Sequence, residues 1–152
     1  MNMGRPLEFD PNLALDAAMQ LFWRKGYEAS SLQDLLATMG LSKSSFYQTF
    51  ESKRSVFERA LEHYRRSLID QMRTELEKAR SGRTFIDALF HGIAEEVVGA
   101  DARRGCLLMN TANEFAQTDV DIASTVSRSI GDIADVLETA VVRAQDEGSV
   151  SS

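Results

Sequence analysis

The stretch Ser31–Lys53, SLQDLLATMGLSKSSFYQTFESK, decides the fold. Ser31 with Asp34 three residues on is close to a capping box, Asp standing where Glu or Gln is usual. Leu32, Leu35, Leu36 and Met39 then recur at i, i+3, i+4 and i+7, one face of a helix. Gly40 breaks that helix, and Leu41 with the N-cap Ser42 completes a three-residue turn into a second short helix, Lys43 to about Thr49. Two short helices joined by a tight glycine turn have the form of a helix-turn-helix. Leu35, Leu36, Met39, Leu41, Phe46 and Phe50 can hold the pair rigidly, leaving Lys43, Ser44, Ser45, Tyr47 and Gln48 outward. Small residues at a helix start let its end approach the floor of a major groove. Gln bonds adenine bidentately, and Ser bonds several base edges. Lys43, Tyr47 and Lys53 suit phosphate oxygens, with backbone N–H donors from the next helix start. We count Ser31 among these DNA-facing residues. A plain helical hairpin with a polar outer face satisfies the same periodicity.

Toward the N-terminus, Asp10 caps a helix with Pro11 at its first position. Its apolar stripe is Leu13, Ala14, Ala17, Ala18, Leu21 and Phe22, and Lys25-Gly26 ends it. Toward the C-terminus, Ser52 caps a fourth segment running to about Ala79, roughly 40 Å long. A fifth helix over Arg83–Val98 starts near Thr84, with Asp87 three residues on. Ile86, Leu89, Phe90, Ile93 and Val97 form its apolar seam. Gly99-Ala100-Asp101 interrupts it before a helix from about Gly105 to Ala116. Asp119 or Asp121 then caps a long last helix with Ile122, Val126, Ile130, Ile133, Leu137, Val141 and Ala144 on its inner face. Residues 146–152 are polar and read as a frayed end. The expected fold is all-α: an N-terminal three-helix head, residues 1–55, joined by a long helix to an α-helical bundle, residues 56–152.

Composition agrees with that class. Of 152 residues, 43% are hydrophobic and 26% charged, which is globular composition. Both prolines, Pro6 and Pro11, precede a long proline-free stretch, which favours helices. No apolar run reaches the roughly 18 residues of a membrane span, and Met1–Asp10 shows no secretory h-region. The single cysteine, Cys106, suits a reducing cytoplasm and excludes an intramolecular disulfide. A net charge of −6 argues at first against nucleic acid, yet all of it falls in residues 60–152. Residues 1–59 carry seven Lys/Arg and seven Asp/Glu, so clustered cations there can still dock on phosphate. Catalysis finds no support: there is no phosphate loop, no nucleophile elbow and no histidine–carboxylate pair at motif spacing. His63, His91 and Cys106 fall on three separate predicted helices, so neither a metal nor another cofactor is expected.

The head carries a family resemblance. GRP at 4–6 and ALDAAMQLFWRKGYEASSLQDLLATMGLSKSSFYQTFESKRSVF at 14–57 resemble the N-terminal DNA-binding domain of the TetR/AcrR family of bacterial transcriptional regulators. The hallmarks are the aromatic-Gly-Tyr element at Phe22–Tyr27, the Ser30-Ser31-Leu32 helix start, Gly40-Leu41-Ser42, and Phe46-Tyr47-x-x-Phe50-x-Ser52-Lys53. The resemblance implies a ligand-responsive, dimeric repressor on a palindromic double-stranded DNA operator. It implies that the second helix of the motif reads DNA, that Tyr47 and Lys53 hold phosphate, and that the arm around Arg5 touches DNA. Phe46 stands where the family more often has Leu, a volume change at a core position.

The second part carries a fainter resemblance. GCLLMNTANEF, Gly105–Phe115, is similar to the regulatory domain of one TetR branch. There the C-terminal helices enclose a small-molecule effector pocket, and the candidates here are Phe90, Ile93, Cys106, Met109, Asn110 and Asn113. Phe90, Ile93 and Met109 read equally as core, and the two Asn residues as surface or interhelix hydrogen bonders. Cys106, just after Arg103 and Arg104 at a helix start, is a candidate sensor of reactive electrophiles or oxidants; an inert small side chain is the alternative. The resemblance further implies a chain lacking the last C-terminal helix, which leaves the seam at Ile130, Ile133, Leu137 and Val141 uncovered. A second reading follows: a shortened regulator that pairs with a full-length relative and has no effector response of its own.

Overall fold

The computed structural model describes residues 9–99, 104–115 and 117–151. Among them lie seven helices and no strand: α1 (Pro11–Lys25), α2 (Leu32–Met39), α3 (Lys43–Phe50), α4 (Lys53–Lys78), α5 (Gly82–Val98), α6 (Leu107–Phe115) and α7 (Val120–Asp146). The protein is all-α. Short polar side chains start six of the seven by accepting a first-turn amide: Asp10 from Asn12, Ser31 from Asp34, Ser42 from Ser45, Ser52 from Ser55, Ser81 from Thr84 and Asp119 from Ile122. Gly26 and Gly40, both at positive φ, end α1 and α2.

The chain divides into two compact units, one up to Tyr64 and one from Arg65 onward. The first holds α1, α2, α3 and the start of α4 around a dense apolar core. Ala18, Leu35, Phe46, Phe50 and Val56 are fully buried. The Phe22 ring meets Phe57 edge-on at 4.9 Å, Tyr27 meets Phe57 at 5.0 Å, and Phe46 meets Phe50 at 5.9 Å. On α1 the expected stripe is corrected: Leu13 is 67% exposed, while Leu15 and Met19 are buried. Apolar residues occupy so many positions of this helix that several faces satisfy the periodicity, and only packing selects among them.

In the second unit, Ile69, Met72 and Leu76 of α4 pack with Phe85 of α5 and with Val136 and Ala140 of α7. Arg65 of α4 pairs with Asp132 of α7. Gly82 opens α5 directly against the α7 backbone; a Cβ there would lie 2.1 Å from the Ala140 carbonyl oxygen. Arg143 donates to the Leu76 and Ala79 carbonyls at 2.7 and 2.9 Å, capping the end of α4. Glu147 accepts from Arg143 Nε at 2.7 Å and from the Gly82 amide at 2.9 Å.

Several expectations change here. The N-cap of α5 is Ser81, and Thr84 donates its amide to that cap instead of starting the helix. The α5 seam is buried only in its first half: Ile86 and Leu89 are half-buried, but Phe90 is 64% exposed, and Ile93 and Val97 are exposed as well. α6 starts at Leu107, because Gly105 takes a positive φ incompatible with a helix; Ala116 lies outside the described residues. The buried face of α7 is Ile122, Val126, Ser129, Val136, Ala140 and Ala144, leaving Ile130 and Val141 exposed. Beyond Asp146 the chain is tied down rather than frayed. Glu147 holds Gly82, the Ser149 amide returns to the Ala144 carbonyl, and Arg83 donates to the Ser149 carbonyl.

Candidate nucleic-acid interface

Helix α3 divides into two faces. Phe46 and Phe50 are fully buried, while Lys43, Ser44, Tyr47 and Gln48 are exposed on the other side. The four polar residues therefore stand on a short helix whose underside is anchored by rings. Tyr47 is 46% exposed, its ring perpendicular to Phe46 at 5.4 Å, so the phenol points outward from an aromatic base. Ser45 differs from its neighbours. It is half-buried, its amide donates to Ser42 Oγ at 3.1 Å, and its hydroxyl accepts from Ser42 Oγ at 2.9 Å.

Ser31 is exposed, but its polar groups are committed to the α2 capping box: Oγ accepts from the Asp34 amide, and its own amide donates to Asp34 Oδ2, each at 3.0 Å. Lys25 Nζ donates to the same carboxylate at 2.8 Å. That hydrogen bond, followed by those from Ser31, holds the Asp34 carboxyl down at about 2. The caps fix the starts of the two motif helices. Arg5 lies outside the described residues.

The passage from α3 to α4 is a γ-turn, in which the Ser52 amide donates to the Phe50 carbonyl at 2.7 Å. Glu51, at φ 67 and ψ −45, is the one non-glycine residue at positive φ among the described residues. This turn sets the N-terminus of α4 immediately after α3. The first turn of α4 holds no acidic residue, and Lys53 and Arg54 occupy it instead. Cations there run against the helix dipole, and together with the first-turn amides they concentrate positive potential that suits an anion. Lys53 Nζ sits 4.2 Å from the centre of the Tyr27 ring. Arg59 of α4 donates to the Thr49 carbonyl at 2.9 Å and lies over the Phe50 ring. Sequence reasoning named Tyr27 only within the family hallmark and gave Arg59 no role, since packing rather than local spacing sets the partners of both.

The six residues considered for an effector are all exposed. Phe90 and Ile93 are exposed on α5. Cys106 is exposed just before α6, where its carbonyl accepts from the Asn110 amide at 2.9 Å. The Asn110 side chain donates to the Arg104 carbonyl at 2.7 Å, while Met109 and Asn113 are exposed. A cleft of about 340 Å³ lies elsewhere, lined by Arg73, Leu76 and Glu77 of α4 and by Asp135, Val136, Thr139 and Arg143 of α7. Two helices far apart in the chain line it, so no local spacing in the sequence marks it. Among the described residues no cluster of His, Cys, Asp and Glu forms a metal site, and no helix is long and apolar enough to cross a membrane.

Residues 14–60 match the family described as bacterial regulatory proteins, tetR family. The chain is 30% identical over 149 residues to YezE of Bacillus subtilis (strain 168), an uncharacterized HTH-type transcriptional regulator, covering 98% of this chain and 77% of YezE. It is 34% identical over 128 residues to the HTH-type transcriptional repressor ComR of Escherichia coli (strain K12), covering 81% of this chain and 59% of ComR. Among solved structures, it resembles a cysteine mutant of the TetR family transcriptional regulator CifR complexed with 26-base-pair double-strand operator DNA. That likeness has a TM-score of 0.79 and 28% identity, over 98% of this chain and 78% of the other.

Proposed function

This chain belongs to the tetR family of bacterial regulatory proteins and is a transcriptional regulator, and from that premise we propose that it acts in the cytoplasm as a homodimeric repressor on a palindromic operator, released by a small-molecule effector. The carrying observation is the exposed row Lys43, Ser44, Tyr47 and Gln48 on a helix seated on buried Phe46 and Phe50, next to the cation-bearing start of α4. In this reading α3 enters the major groove. Ser44 and Gln48 meet base edges, Gln48 with the geometry for adenine. Lys43, Tyr47, Lys53 and the first amides of α4 take phosphate oxygens, which sets register and orientation. Arg5 adds an arm contact. Ser31 and Ser45, their hydroxyls engaged in caps, serve by shaping the helix starts.

The repressor role draws support from ComR, the homodimer from exposed Ile130 and Val141 on α7, and the effector from the cleft between α4 and α7. A reactive electrophile acting at exposed Cys106 is the other form the signal takes in this reading.

The test is binding to a DNA fragment from upstream of the chain's own gene, against competitor DNA, with the mass of the complex measured. A specific complex holding two chains is expected. Tyr47→Ala and Lys53→Ala should each weaken it while the helical signal and unfolding midpoint stay in place. Lys53→Ala should also lower the slope of log affinity against log salt by about one, the signature of one lost phosphate contact. A slope that does not move removes that role from Lys53. A folded wild-type protein without a specific complex removes the operator reading on this fragment.

A further inference from the structure

Helix α3 is eight residues long. A helix this short is marginal by itself, so its conformation depends on what grips its two ends. Ser42 secures the N-terminal end. The C-terminal end lacks the usual devices: Glu51 rather than glycine takes the positive φ of the C-cap, and no basic residue lies in the last turn. The donors come instead from beyond the turn. The Ser52 amide reaches the Phe50 carbonyl, and Arg59 Nη1, ten positions along the chain, reaches the Thr49 carbonyl at 2.9 Å. The same guanidinium carbon lies 4.7 Å from the centre of the Phe50 ring. Phe50 is fully buried and packs on Phe46, the other ring under α3. One side chain thus satisfies an end carbonyl, opposes the negative end of the α3 dipole and covers the anchoring ring. The two cations in the first turn of α4 are placed differently, Lys53 over Tyr27 and Arg54 beside Glu58.

We infer that Arg59 is a positioning residue for α3, holding its last turn through the Thr49 carbonyl and the Phe50 ring. Its consequence for DNA rests on the proposed reading role of α3, whereas its grip on the helix does not. Arg59→Lys keeps the charge but loses the planar fork that bonds and stacks together, so it substitutes poorly.

The experiment has two arms, both on the full chain. The first is amide hydrogen exchange without DNA. In Arg59→Ala, the amides from Tyr47 to Phe50 should exchange about ten-fold faster, a local loss on the scale of a helix-end cation and a cation–π contact, with α1 amides unchanged. Unchanged exchange at those amides overturns the proposal. Should Arg59→Ala fail to fold, Arg59→Lys carries the same measurement, with acceleration confined to α3 expected.

The second arm compares the upstream fragment with a random-sequence duplex of equal length. Arg59→Ala should bind the first about ten-fold more weakly and the second as wild type does, with the salt slope unchanged. Equal loss on both, with a slope reduced by about one, would make Arg59 a phosphate contact and overturn the positioning role. Wild-type protein that fails to prefer the upstream fragment counts against the operator reading, and the exchange arm still decides the role of Arg59.

Discussion

Phe50 in the first unit is fully buried, whereas Phe90 in the second is 64% exposed, and the contrast extends to the helices that carry them. The first unit seats its short helices on two groups of rings: Phe22, Tyr27 and Phe57 meet one another within 6.0 Å, and Phe46 meets Phe50 at 5.9 Å. The second unit closes on a mostly aliphatic core around Phe85 and on a polar clasp, with Arg143 and Glu147 joining the end of α4, the start of α5 and the end of α7. From His91 to Gly99 every residue of α5 and its C-cap is exposed. A rigid base suits a helix that must present fixed polar groups. Exposed apolar residues such as Phe90, Ile130 and Val141 suit surfaces that meet something else.

The largest effect that should sharpen this contrast is at the rings. Phe57→Ala removes the ring shared by Phe22 and Tyr27 and should cost about 3–5 kcal/mol, read in urea from Trp23, the single tryptophan. The same truncation at Phe90 should change stability by less than about 0.5 kcal/mol. Comparable losses at both sites would break the distinction.

Next is the close approach of α5 and α7. Gly82→Ala places a Cβ 2.1 Å from the Ala140 carbonyl oxygen and 2.7 Å from the Ala144 amide nitrogen. Backbone must move to admit it, at a cost of about 1–3 kcal/mol. Circular dichroism should report the loss, while Trp23, which contacts Tyr64 inside the first unit, should report little of it. Equal shifts in both signals would show that the units unfold together. Gly92→Ala has open space around its Cβ and should stabilise α5 by about 0.5–1 kcal/mol.

The smallest effect is the response to acid. Asp34 is depressed from 3.8 to about 2, chiefly by Lys25, so its contribution is present above pH 3.8 and lost as pH falls through about 2. Glu147 is depressed below 4.5, chiefly by the Gly82 amide and then by Arg143; its contribution to the second unit is present above pH 4.5 and lost on further acidification. Carboxyl titration by NMR should show both midpoints below their ordinary values. An Asp34 midpoint near 3.8 would remove the capping box from the account.

Much of the first unit was readable residue by residue. Asp10, Ser31, Ser42 and Ser52 announced four helix starts, Gly26 and Gly40 two ends, and the outward face of α3 followed from the spacing of Phe46 and Phe50. The second unit was readable in its elements but not in its faces. In α5 the periodic seam continued through Val97, yet nothing covers its second half among the described residues. In α7 two apolar stripes compete, and the one through Ser129, Val136 and Ala140 is buried. The candidate effector residues are exposed on α5, α6 and the segment before α6, whereas the cleft is lined by charged and apolar residues of α4 and α7 that are far apart in the chain.

The sequence by itself determined where helices begin and end and which short helix presents a polar face, because caps, glycine turns and amphipathic spacing act over three or four residues. Only the tertiary structure decided that Lys53 rests on Tyr27, that Arg59 grips α3, and that Arg143 closes α4 from 67 positions away. Those partners are chosen by which surfaces pack. Packing energy depends on neighbours brought together by the whole chain, which no local pattern of residues encodes.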